Sequence, residues 1–233
     1  MSLVSRPIGY VALLAVALTA AAPLLAEEPK KESRWEKSIQ AFEKRDAAKP
    51  PPQGAILFAG SSSIVGWNLP KWFPDLTTIN RGFGGSQIAD STEFAPRIIL
   101  PCKPKIVVLY AGDNDIASGK SPQRVLEDFT AFVKVIRDAL PETRIVFIAI
   151  KPSIARWRLV EKMRAANKLI ADYIETAPNL AYCDVDAPTL GDDGKPRPEL
   201  FKKDGLHLND EGYKLWTSLL LPHLKSDAPA PKQ

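Results

Sequence analysis

The chain has 233 residues, with 31 Lys and Arg against 27 Asp and Glu, a formal net charge of +4. That small basic excess, with no Lys/Arg cluster interleaved with aromatic residues, argues against a nucleic-acid partner. Two histidines and two cysteines occur, without Cys-x-x-Cys or clustered ligand spacing, so a zinc site is not indicated.

The N-terminus reads as a targeting segment. Arg6 is the single charge among the first ten residues, an almost unbroken apolar run fills residues 11–22, and Glu27, Glu28, Lys30 and Lys31 follow small residues. This layout predicts a secretory signal peptide over residues 1–26, cut after Ala26. The run is shorter than the roughly 20 apolar residues a membrane span needs, so no stable span is expected in the mature chain. The competing reading, suggested by Leu24 at the −3 position, is an uncleaved N-terminal anchor. Both readings place the remaining domain outside the cytoplasm, secreted or periplasmic. An oxidising compartment allows Cys102 and Cys183 to pair. Cys102 falls just before one apolar strand and Cys183 inside another, which favours buried free thiols.

Residues 27–53 form a charged leader. Trp35, Ile39 and Phe42 share one helical face, which predicts a short helix packed on the domain and ended by Pro50-Pro51-Pro52. From residue 54 onward, apolar runs alternate with helical patterns. Strands are expected at 55–59, 76–80, 106–111, 145–150 and, more weakly, 180–185. Their β-branched content without polar alternation fits parallel strands covered on both faces. Helices are expected after Ser121-Pro122, where Ser is an N-cap and Pro the first helical residue, over 156–176, and over 209–224. The alternation implies a three-layer α/β fold of about five parallel strands over residues 54–225. The tail, 226–233, is rich in Pro, Ala and Lys and is expected to be disordered.

In such sheets, ligands bind beyond the carboxyl ends of the strands. Four polar clusters follow strands: Gly60-Ser61-Ser62-Ser63, the segment from Asn80 through Gly82, Gly84 and Gly85 to Ser86, Gly112-Asp113-Asn114-Asp115, and Lys151-Pro152-Ser153. A last loop supplies Asp204-Gly205-Leu206-His207. A carboxylate beside a histidine sets its tautomer and stabilises the imidazolium. A serine at a tight strand-to-helix turn is exposed, and its hydroxyl becomes nucleophilic when a base takes its proton. Ser62 is the best placed for attack, with its own N–H available to an oxyanion. Ser61 and Ser63 are alternatives, and all three would also serve as helix caps or anion ligands. The glycine cluster lets a ligand approach main-chain N–H groups, or is an ordinary turn. Asn114 is an oxyanion donor or a cap. Asp115, Asp184 and Asp186 are rival carboxylates, but Asp204 alone has the three-residue spacing to a histidine. Arg156 and Trp157 line the pocket or face solvent and pack, respectively. His223 has no adjacent carboxylate.

No Gly-x-Ser-x-Gly elbow is present. The order Ser near the start, glycine loop, Gly-x-Asn-Asp, then Asp-x-x-His resembles the SGNH (GDSL) hydrolase superfamily over about residues 54–224. Ser61 stands where the family's first block has Asp, as in a GSSS variant. The resemblance implies a flavodoxin-like sheet and no metal or organic cofactor. It implies Ser62 as nucleophile and His207 as base oriented by Asp204. Ser62, Gly85 and Asn114 would form the oxyanion hole. The expected function is a serine esterase acting on a small-molecule or glycan ester, with short-chain acyl or O-acetyl groups favoured because no long lid insertion interrupts the blocks. The alternatives are a lysophospholipase or thioesterase of the same superfamily, or a non-catalytic anion- or glycan-binding module on the same fold. Nothing in the sequence specifies the oligomeric state.

Overall fold

The computed structural model describes residues 32–225. The expected signal peptide, the first residues of the leader and the tail lie outside the described residues. The leader helix α1 (Glu36–Ala48) precedes β1 (Ile56–Gly60), which turns directly into the one-turn helix α2 (Ser62–Val65). Helix α3 (Leu69–Trp72), strand β2 (Thr78–Gly82), helix α4 (Ile88–Ile98) and strand β3 (Ile106–Tyr110) follow. Next come α5 (Asp113–Ala117), α6 (Pro122–Ala139), β4 (Arg144–Ile148), α7 (Val160–Glu175), β5 (Leu180–Cys183), α8 (Asp186–Thr189) and α9 (Asp210–Leu220).

The five strands form one parallel sheet in the order β2-β1-β3-β4-β5, the flavodoxin-like order with its switch point between β1 and β3. Alternate side chains divide the core in two. Leu57, Ala59, Val107, Leu109, Ile145 and Phe147 face α1, α4, α6 and α7. Ile56, Phe58, Ile106, Val108, Tyr110, Val146 and Ile148 face α2, α3 and α9. Both faces are dry, which is why β1 and β3 are buried at every position and read as unbroken apolar runs. Cys102 and Cys183 are free, buried thiols on opposite faces of the sheet.

Several boundaries differ from the sequence expectation. β2 spans Thr78–Gly82 rather than 76–80, so Asn80 and Arg81 belong to the strand and not to the loop after it. It is an edge strand that alternates half-buried and buried positions. Arg81 sits inside that pattern because its guanidinium bonds both oxygens of Asp46 on α1, each at 2.6 Å, and the Ile98 carbonyl at 3.1 Å. The helix expected over 156–176 starts as a single 3-10 turn (Trp157–Leu159) before α7, and the last helix yields to a 3-10 turn (Leu221–Leu224) around Pro222. Helix α4 was not anticipated. Its start is fixed by a reciprocal cap in which Gln87 N–H donates to Asp90 Oδ2 at 2.7 Å. The leader helix packs as expected, with Ile39 and Phe42 buried in the core.

Candidate active site

Pairing of Gly60 with Gly82 on one side and Tyr110 on the other brings the ends of β1, β2 and β3 level. Gly60 has φ +129°, and a Cβ there would lie 1.9 Å from the Tyr110 carbonyl oxygen. No other residue permits the chain to turn this tightly beside β3. The turn is locked by Ser61 N–H donating to Tyr110 O at 3.0 Å. Ser61 becomes the N-cap of α2 and Ser62 its first helical residue, where a backbone N–H has no intrahelical acceptor. Ser61 and Ser63 are buried, whereas Ser62 is half-exposed. The Ser63 carbonyl accepts from the Tyr213 hydroxyl of α9 at 2.9 Å, which ties the serine turn to the helix that follows His207.

Ser62 Oγ lies 3.0 Å from His207 Nε2, and His207 Nδ1 lies 2.7 Å from Asp204 Oδ2. The three-residue spacing has a local cause. Asp204 Oδ1 accepts from the N–H groups of both Leu206 and His207 at 2.9 Å, so the carboxylate folds its own loop. The His207 side chain with these two N–H groups holds the Asp204 carboxyl well below the usual carboxylate range. An ionised carboxylate only accepts, so Nδ1 carries the proton and Nε2 presents its lone pair to Ser62. The loop is anchored from below by Ala155 N–H donating to Gly205 O at 3.0 Å. Asp204 and His207 side chains are 48% and 35% exposed, so the site opens to solvent.

Asn114, in the first turn of α5, donates through Nδ2 to Ser86 O at 3.0 Å, joining α5 to the glycine-rich loop. Its Oδ1 accepts from Arg156 Nη2 at 3.0 Å, and Arg156 Nη1 reaches Asp113 Oδ2 at 2.9 Å. An arginine can only donate, so it fixes the amide's orientation and leaves one Nδ2 hydrogen beyond the bond to Ser86. Arg156 is therefore neither solvent-facing nor a mere wall of the pocket, and Trp157 beside it is half-buried. Beneath this pair Lys151, fully buried, donates to the Tyr110 hydroxyl at 3.1 Å and stands 3.7 Å from Asp113. Burial pushes the Lys151 pKa down and the Tyr110 pKa up. The sequence reading had not singled out Tyr110. Its place at the end of the most apolar strand is the one local signal.

The rival carboxylates are occupied elsewhere. Asp115 is fully buried, bonded to Ile88 N–H and Lys120, and burial raises its pKa. Asp186 pairs with Arg164, and Asp184 caps the turn into α8 by accepting from Asp186 N–H. His223 is buried in the closing 3-10 turn. Among the described residues no group of three or more His, Cys, Asp or Glu side chains is arranged to hold a metal ion, and no helix is long and apolar enough to cross a membrane.

This arrangement of a parallel sheet, a serine at the end of β1 and a late Asp-x-x-His loop defines a class of hydrolase. Residues 54–215 match the model of the GDSL-like lipase/acylhydrolase family, and the chain belongs to that family. No curated protein matches the chain. Among solved structures, it resembles a Streptococcus pneumonia protein proposed to be a platelet activating factor (22% identity, TM-score 0.74, covering 82% of this chain and 92% of that one). A GDSL-like lipase from Bacteroides thetaiotaomicron is similar at 19% identity and TM-score 0.70, over 79% of this chain and 96% of that one. A carbohydrate esterase family 3 protein from Talaromyces cellulolyticus follows at 16% identity and TM-score 0.57, over 72% and 95%.

Proposed function

We propose that this protein is an exported serine esterase that cleaves a carboxylic ester through an acyl-enzyme. The observation that carries the reading is the unbroken relay from Ser62 Oγ through His207 to Asp204, at 3.0 and 2.7 Å. In the first half-reaction Ser62 Oγ bonds to the ester carbonyl carbon while His207 Nε2 takes the hydroxyl proton. The carbonyl oxygen becomes an oxyanion facing the N–H groups of Ser62 and Gly85 and the amide of Asn114. Its collapse breaks the bond to the alcohol oxygen, which leaves with the proton from His207. Water then attacks the acyl-serine, gives its proton to His207, and releases the acid as Ser62 regains a hydrogen.

The favoured substrate is a short acyl group, such as acetyl, on a carbohydrate or small alcohol. The exposure of Asp204 and His207 leaves the site open, and an open site suits a substrate whose bulk stays in solvent. A panel of p-nitrophenyl esters of rising chain length, run beside acetylated sugars with wild-type protein and Ser62→Ala, tests this reading. Expected are hydrolysis that favours short chains, its abolition in Ser62→Ala, and much smaller losses in Ser61→Ala and Ser63→Ala. A preference for long acyl chains or thioesters would move the substrate class. Binding without turnover by the wild type would leave a glycan- or anion-binding module.

A further inference from the structure

The glycine-rich loop is held from outside the segment that matches the family model, which begins at residue 54. Trp35, the residue that opens α1, donates its indole Nε1–H to the Gly84 carbonyl at 2.9 Å. Arg34 donates through Nη2 to the next carbonyl, Gly85 O, at 2.8 Å, with its guanidinium 4.1 Å from the Trp35 ring centroid. The ring itself is seated edge-on against Phe83 at 5.7 Å. Behind it, α1 is fastened to α4 by Arg97, which bonds both Glu36 and Glu43.

The Gly84 carbonyl and the Gly85 N–H are the two ends of one peptide group. A peptide is planar, so fixing its oxygen fixes the direction of its N–H. This plane lies between two glycines, the pair with the least steric resistance to turning over. Gly84 has open space where a Cβ would be, and Gly85 already sits at φ +76°. A turned-over peptide would present its N–H to the indole N–H, donor against donor. Resting on the esterase reading above, we infer that Trp35 is a positioning residue. Its indole holds the Gly84–Gly85 peptide in the orientation that aims Gly85 N–H at the oxyanion, and Arg34 secures the adjoining peptide. The leader helix thus acts as a brace for the oxyanion hole. A hydrogen bond to the carbonyl also strengthens the N–H of the same peptide as a donor.

The test uses the full-length protein with Trp35→Phe, which keeps a ring against Phe83 and removes the N–H, and Arg34→Ala as a second variant. Competent sites are counted by the p-nitrophenol burst, so that any misfolded fraction is set aside, and kcat per site is measured on a short p-nitrophenyl ester. Trp35→Phe is expected to lower kcat roughly three- to ten-fold, the usual worth of one hydrogen bond, with KM little changed. Arg34→Ala is expected to fall in the same direction by less. An unchanged kcat per competent site in Trp35→Phe, or a rise in KM alone, overturns the brace. Wild-type turnover in Ser62→Ala overturns the esterase reading instead, so the two failures are told apart.

Discussion

At the scale of single residues, the proposed mechanism separates groups that touch the reacting ester from groups that aim them. As the proposed oxyanion donor Asn114 would be of the first kind, and Asn114→Ala is then expected to lower kcat about 10²–10³-fold, the effect of removing one such donor. Arg156 belongs to the second. It spans Asp113 and Asn114 at 2.9 and 3.0 Å, so Arg156→Gln should cut kcat about ten-fold while KM moves little. Lysine in its place cannot grip both partners and should not restore the rate. Stopped assays at saturating ester would show either failure. Asp204 makes a sharper prediction. Its Oδ1 is held by two backbone N–H groups, so Asp204→Asn must turn its amide nitrogen toward His207 and force the wrong tautomer. The loss should approach the ~10⁴-fold of the serine-protease template. The Asp204 carboxyl is depressed, so it stays ionised into the acid range. On the proposed mechanism His207→Ala should abolish turnover, whereas His223→Gln should leave it near the wild-type rate.

At the scale of elements, the leader helix is integral to the domain. Phe42 is 7% exposed and shares a core with α4 and the sheet. Phe42→Ala is expected to cost about 3–5 kcal/mol, measured as a lowered urea midpoint in a single transition. Two separate transitions would show that α1 unfolds on its own. The strands at the centre of the sheet were legible because both their faces are dry. β2 was misplaced by two residues because, as an edge strand, it carries Asn80 and Arg81 within its span, and Leu76 drew the expected strand too early. Helix α4 was hidden by Pro96 inside it and by the glycine-rich approach to it. The serine turn, the Asn114 turn and the Asp204 loop were readable because each is a local device of a few residues. The contacts of Trp35 and Arg156 were not, since their partners are 49 and 42 residues distant and no local pattern announces such contacts.

At the scale of the whole molecule, one buried histidine contributes to how stability responds to acid. Burial, with help from Arg144, lowers the His223 pKa in the folded state. The unfolded chain therefore binds the proton more readily, and stability is full above the ordinary imidazole value of about 6.5 and declines as pH falls below it. Thermal melts of His223→Gln should show a shallower decline over that window. The Ser62–His207 contact has a different consequence, one of timing. Its partners stand 145 residues apart in the chain, with every strand after β1 lying between them. During synthesis the serine turn emerges well before the imidazole. If Ser62 works as proposed, a nascent chain carries an unactivated hydroxyl until the Asp204 loop has left the ribosome, and ester cleavage would then report completion rather than partial order. In refolding from urea, far-UV ellipticity should recover first and turnover afterwards, the interval between them measuring how long the closing loop takes to find a sheet that is already built.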